Sequence, residues 1–122
     1  MTIQERLESL PPYVAGEHDR FATKMSSNEN ALGPSRLVLE RIKAEMEQVH
    51  RYPDPHAKAL RQARSTHLEV DPSQLSLGNG SDDLIVRLAH AILQPGDSTV
   101  VPAFTFPQYR FATTLAGGVT IE

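Results

Sequence analysis

The sequence contains no cysteine. Disulfides, thiolate metal sites and cysteine nucleophiles are therefore excluded, and a reducing cytoplasm is the default compartment. Apolar runs never exceed a few residues, too short for a membrane span. The first residues, Met1-Thr2-Ile3-Gln4-Glu5-Arg6, are polar and lack the apolar core of a signal peptide. No basic cluster interrupts a formal net charge of -3, so nothing points to nucleic acid. The five histidines (His18, His50, His56, His67, His90) show no H-x-H or H-x-x-x-H spacing, and no metal site is expected. Lysine is scarce. Lys43 and Lys58 fall within predicted helices on mostly polar faces, and neither they nor Lys24 is assigned as a nucleophile. No fixed-period repeat and no low-complexity tract is present.

What is present is organised around L-S-L-G-N-G-S-D-D at residues 75–83. A short apolar strand is predicted over 75–77. Two glycines follow, and a helix is predicted over 82–93, with Leu84, Ile85, Leu88, Ala89 and Ile92 as its apolar stripe. Glycines let a backbone approach a ligand closely. The first turn of a helix carries unpaired N–H groups at the positive end of the dipole. The stretch therefore reads as an anion cradle. Its blander reading is a tight turn with Ser81 as N-cap and Asp82 and Asp83 complementing the dipole. It has neither the lysine of a P-loop nor the third glycine of a dinucleotide fingerprint. Two carboxylates in the first turn would repel a phosphate unless they point away. No nearby Arg or Lys stands out to offset them.

Around this centre the pattern is regular. A helix over 2–10 ends at Pro11-Pro12. A short strand is predicted over 21–26, then a polar loop through 27–34. Ser35 suits an N-cap for a helix over 36–49, with Val38, Ile42, Met46 and Val49 at helical spacing. Residues 50–55 break it, and Pro55 suits the first position of a helix over 57–68. Residues 71–74 form a turn. Residues 98–101 form a strand, 104–115 a loop and helix stopped by Gly117-Gly118, and 119 onward another strand. From residue 75 the order is β-α-β-α-β, an α/β pattern with parallel strands. Sites in such sheets lie beyond the carboxyl ends of the strands, where 78–81 and 102–106 both fall. The β-branched run at 119–121 reads as a strand just beginning, so the sequence is expected to be part of a longer protein.

Three further stretches carry candidate chemistry. Phe104, Phe106 and Tyr109 follow a strand end, where an aromatic face suits a planar ring, although core anchoring is the commoner use. In R-Y-P-D-P (51–55), Tyr52 and Arg51 suit an anion, against a plain helix-to-helix turn. S-S-N-E-N (26–30) suits a lid over a polar ligand, against a solvated loop.

These segments together resemble the N-terminal part of histidinol-phosphate aminotransferases, pyridoxal-phosphate enzymes of the aspartate-aminotransferase fold type. The matching pieces are S-S-N-E-N-A-L-G-P-S (26–35), R-Y-P-D-P (51–55), L-G-N-G-S-D-D (77–83), P-G-D (95–97) and V-P-x-x-T-F-x-x-Y (101–109). They stand in the family's order and spacing. Ala31 and Asp83 depart from the Pro and Glu common there.

The resemblance implies an α/β fold of type I. It divides into an N-terminal arm and active-site loop (1–34), a helical segment (35–74) and the start of a cofactor-binding large domain (75–122). It implies that backbone amides of Gly80, Ser81 and Asp82 hold the phosphate of pyridoxal 5'-phosphate and that Phe106 stacks on its ring. Tyr52 would reach the cofactor phosphate of a neighbouring subunit in a homodimer. Tyr13 and Asn30 would border the substrate. The implied reaction is amino transfer between histidinol phosphate and 2-oxoglutarate, in the cytoplasm, with the Schiff-base lysine and the phosphate-binding cations beyond residue 122. Two alternatives remain open. One is a related enzyme of the same fold, a threonine-phosphate decarboxylase or aromatic aminotransferase. The other is a non-catalytic phosphate-binding module, which predicts a stable, cooperatively unfolding monomer.

Overall fold

The structure, a computed structural model, describes residues 2–10, 21–25 and 27–122. Helix α1 spans Ile3–Glu8, α2 Arg36–Glu45, α3 Lys58–Leu68 and α4 Gly80–Ile92. Strand β1 (Ser98–Val100), α5 (Gln108–Leu115) and β2 (Val119–Ile121) follow. The chain divides into two compact units. One comprises Met1–Tyr13 with Lys58–Glu122, the other Val14–Ala57.

Local chemistry explains most of the boundaries. Thr2 and Glu5 form a reciprocal capping box that starts α1. The Ser35 hydroxyl accepts from the Val38 N–H at 3.3 Å and starts α2, as expected. The predicted helix over 36–49 tightens into a 3-10 turn at Met46–Gln48. Helix α3 begins at Lys58 rather than at Pro55. Asp54 folds the chain first: its side chain accepts from His56 N–H and its carbonyl from Ala57 N–H, and Ala57 takes φ 45°. Helix α5 ends as Gly117-Gly118 predicted. Gly117 takes φ 83°, and the N–H groups of Gly117 and Gly118 donate to the carbonyls of Thr114 and Thr113. No strand forms over residues 21–25.

The larger unit contains one sheet. Strands β1 and β2 pair in parallel, with Ser98 opposite Val119, Thr99 opposite Thr120 and Val100 opposite Ile121. Val119 N–H donates to the Asp97 carbonyl and Val101 N–H to that of Ile121, extending the ladder at both ends. Residues 75–77 are not a ladder strand. Leu75 is extended, but side chains take two of the carbonyls: Arg61 donates to Leu75 and Arg87 to Leu77. The observed order of ladder strands and helices is therefore α-β-α-β from α4 onward. A strand needs a neighbour for its ladder, and none of the described residues supplies one.

Burial is thin. Among the described residues, the buried apolar side chains are Val101 (4% exposed) and Ala112 (1%), beside buried Thr113 and Ser65. The apolar stripe of α4 is only partly covered: Leu84, Ile85 and Ala89 are half-buried, but Leu88 stays 59% and Ile92 63% exposed. Val38 and Ile42 of α2, and Met46 at the start of the 3-10 turn, are also exposed.

Before residue 75 the chain is tied down by polar contacts. Ser65 Oγ donates to the Val70 carbonyl at 2.6 Å. Asp71 and Gln74 form a second capping box. The Ser73 hydroxyl and then the Ser73 N–H donate to the Asp71 carboxylate and hold it below its ordinary pKa of 3.8. A depressed carboxylate pKa contributes stability that is present above the ordinary value and lost as pH falls below it. Asp71→Asn in the intact protein should therefore lower the urea midpoint at neutral pH, with the difference closing as the pH drops below the usual carboxylate range. The buried apolar set among the described residues is small against the entropy of ordering them. The isolated chain is expected to melt broadly and bind a hydrophobic dye, and a sharp reversible calorimetric transition would contradict this.

Candidate functional site

The turn between Leu77 and α4 has a defined geometry. Asn79 has φ -79° and ψ 72°, and the Gly80 N–H donates to the Gly78 carbonyl at 3.0 Å. These are the marks of an inverse γ-turn. Gly80 then takes φ 79°, a left-handed conformation that disfavours a side chain. The helix starts at once, with Asn79 rather than Ser81 in the cap position and no side-chain cap bond.

The donors sort accordingly. The Gly80 N–H is committed to its own turn. Among the described residues, the N–H groups of Ser81 and Asp82 have no intramolecular acceptor. Two adjacent free donors at the positive end of a 13-residue helix suit an anion.

Asp83 accounts for one of the two first-turn carboxylates noted in the sequence. Its Oδ2 accepts from the Asn79 N–H at 3.0 Å, so the carboxylate folds back over the turn. The same oxygen lies 3.7 Å from Arg87 Nη1, and that nitrogen donates to the Leu77 carbonyl at 2.7 Å. The expectation of no useful cation nearby is thus corrected by Arg87. Its signal was present in the sequence, since D-x-x-x-R places the two on one helix face. Gly78 is demanded by the same packing. A Cβ there would come within 2.5 Å of Asp83 Oδ2 and 3.0 Å of the Leu84 side chain.

The aromatic loop after β1 belongs to the same unit. Phe106 is partly exposed and meets Tyr109 edge to face, with ring centroids 6.2 Å apart. Tyr109 in turn lines an open apolar groove of about 230 Å³ with Ile85 and Leu88 of α4, Thr99 of β1 and Ala112 of α5. The groove's lining offers almost no polar groups, so it suits packing rather than a phosphorylated ligand. The Thr99 hydroxyl is buried with no partner among the described residues. Arg110 reaches from α5 to the Ala103 carbonyl (3.4 Å) and to Glu122 (2.5 Å), bracing the loop that carries Phe106. Phe104 is fully exposed.

The other expected site residues lie in the smaller unit or outside the described residues. Asn30 holds its own loop: its side-chain oxygen accepts from Leu32 N–H, and its amide donates to the Gly33 carbonyl. Lys24 pairs with Glu29 at 2.6 Å. Tyr52 is fully exposed. Tyr13 lies outside the described residues.

A family model described as aminotransferase class I and II matches residues 22–122. A histidinol-phosphate aminotransferase of Geobacillus thermodenitrificans is 40% identical over 119 residues, covering 90% of this chain and 33% of that protein. Its counterpart in Bacillus subtilis is 36% identical over 131 residues, covering 100% and 36%. The crystal structure of histidinol-phosphate aminotransferase from Sinorhizobium meliloti, in complex with pyridoxal-5'-phosphate, superimposes with a TM-score of 0.83 at 25% identity. That match covers 95% of this chain and 33% of the other. The chain thus spans about a third of the length of the relatives it matches.

Gly78→Ala should displace Asp83 from the Asn79 N–H. The expected loss is about 1–3 kcal/mol of stability, read as a lowered denaturant midpoint of the intact protein. Gly80→Ala, with open space around its Cβ, carries only the backbone cost of about 1 kcal/mol.

Proposed function

The chain belongs to the aminotransferase class I and II family, and from that premise we propose that it forms the N-terminal third of a pyridoxal-phosphate-dependent histidinol-phosphate aminotransferase. The observation that carries the reading is the pair of free N–H groups on Ser81 and Asp82 behind the Gly78–Gly80 turn. Their chemistry fits the phosphate of pyridoxal 5'-phosphate. The relatives' names point to histidinol phosphate as amino donor; the reading pairs it with 2-oxoglutarate, giving imidazole-acetol phosphate and glutamate.

In this reading the chain's own residues bind and orient. Gly80 shapes the turn, and the Ser81 and Asp82 amides hold the phosphate. Phe106, braced through Tyr109 and the Arg110 contact to Ala103, offers its ring face to the pyridine. Bound there, the cofactor supplies the electron sink for amino transfer. Tyr52 is exposed; in this reading it reaches the phosphate site of a second subunit, and the working unit is a homodimer. Asn30 borders the substrate through the loop it holds, and Tyr13 joins it. Residues 1–34 act as arm and loop, 35–74 as a helical segment and 75–122 as the start of the large domain. The family resemblance places the covalent lysine outside residues 1–122 in this reading; Lys24 pairs with Glu29, Lys43 lies in α2 and Lys58 opens α3. A cytoplasmic enzyme without nucleic-acid or membrane partners completes the reading. Among the described residues no helix is long and apolar enough to cross a membrane.

The test is steady-state kinetics of the complete protein. Its kcat/KM for histidinol phosphate should exceed that for aromatic amino acids, with no carbon dioxide released from threonine phosphate; the reverse order assigns a sister activity of the fold. Ser81→Pro places proline where a helix tolerates it and deletes one phosphate-facing donor. Cofactor affinity should fall by about 1–3 kcal/mol, the worth of one hydrogen bond to a charged group. Equal affinity in a titration of the apoenzyme would rule out the cradle.

A further inference from the structure

The Asp83–Arg87 pair does more than decorate the surface of α4. Five residues form a closed circuit: Leu77 leads through Gly78 to Asn79, Asn79 N–H donates to Asp83, Asp83 faces Arg87, and Arg87 donates back to the Leu77 carbonyl. The circuit encloses the turn that aims the Ser81 and Asp82 donors. Gly78 leaves room for the carboxylate to lie against the backbone.

Resting on the phosphate-site reading above, we propose that Asp83 and Arg87 are positioning residues of the cradle with divided tasks. Asp83 fixes the γ-turn through the Asn79 N–H. Arg87 offsets the charge that this carboxylate would otherwise set against the phosphate dianion. Neither side chain touches the cofactor. The arrangement uses a carboxylate because two demands meet at one place: a strong acceptor for Asn79 N–H and a partner for the cation that ties Leu77 to α4. Its drawback is a negative charge in the first turn, next to an anion. Arg87, one helical turn on, offsets that charge while its Nη1 donates to the Leu77 carbonyl.

Electrostatic masking makes a prediction that simple bracing does not. In the intact apoenzyme, Arg87→Gln should weaken pyridoxal 5'-phosphate binding about three- to tenfold at low salt, and the deficit should shrink as ionic strength rises. Adding Asp83→Asn, which keeps an acceptor for Asn79 N–H but removes the charge, should restore affinity to within about twofold of wild type. The readout is a titration of apoenzyme with pyridoxal 5'-phosphate, followed by the absorbance of the bound cofactor, with thermal melts reporting the fold of each variant. A double variant as weak as Arg87→Gln alone, or a deficit independent of salt, overturns masking. A wild-type protein that binds no pyridoxal 5'-phosphate overturns the underlying reading instead.

Discussion

The bond from the Asn79 N–H to the Asp83 carboxylate is the constraint on which the rest of the site depends. It turns a first-turn acid away from the helix's free donors and locks the glycine turn in one conformation. With it, an exposed glycine turn is held in one conformation, with the Ser81 and Asp82 N–H groups left without an acceptor among the described residues. Arg87 closes the circuit by tying Leu77 to the same helix.

This local rigidity contrasts with the thin packing elsewhere. The larger unit holds together through two short parallel strands, the contact of α4 with α5, and polar tethers such as those from Arg61 and Ser65. Large apolar side chains on α2 and α4 face outward. The turn's geometry is local and survives this thin packing, whereas a large core requires surfaces from many elements.

Much of the architecture was legible from residues alone. Ser35, the Asp71 turn and Gly117-Gly118 announced their boundaries through side-chain acceptors and left-handed glycine, all acting within a few positions. The G-N-G-S-D-D stretch announced a turn feeding a helix. The expectations that failed depended on partners. Residues 75–77 have strand composition but no neighbour to pair with. Leu88 and Ile92 have the spacing of buried residues but little against them. Pro55 was suited to open α3, but Asp54 captured the backbone first.

Sequence by itself determined the family likeness, the helix ends and the place of the anion turn, because those rest on short-range chemistry that a few consecutive residues carry. Only the tertiary structure decided which donors stay free. The Gly80 N–H turns to the Gly78 carbonyl, the Ser81 and Asp82 N–H groups remain open, and Asp83 folds back onto Asn79 and Arg87. Those choices follow from the direction of bonds in space, and residue order restricts that direction without setting it.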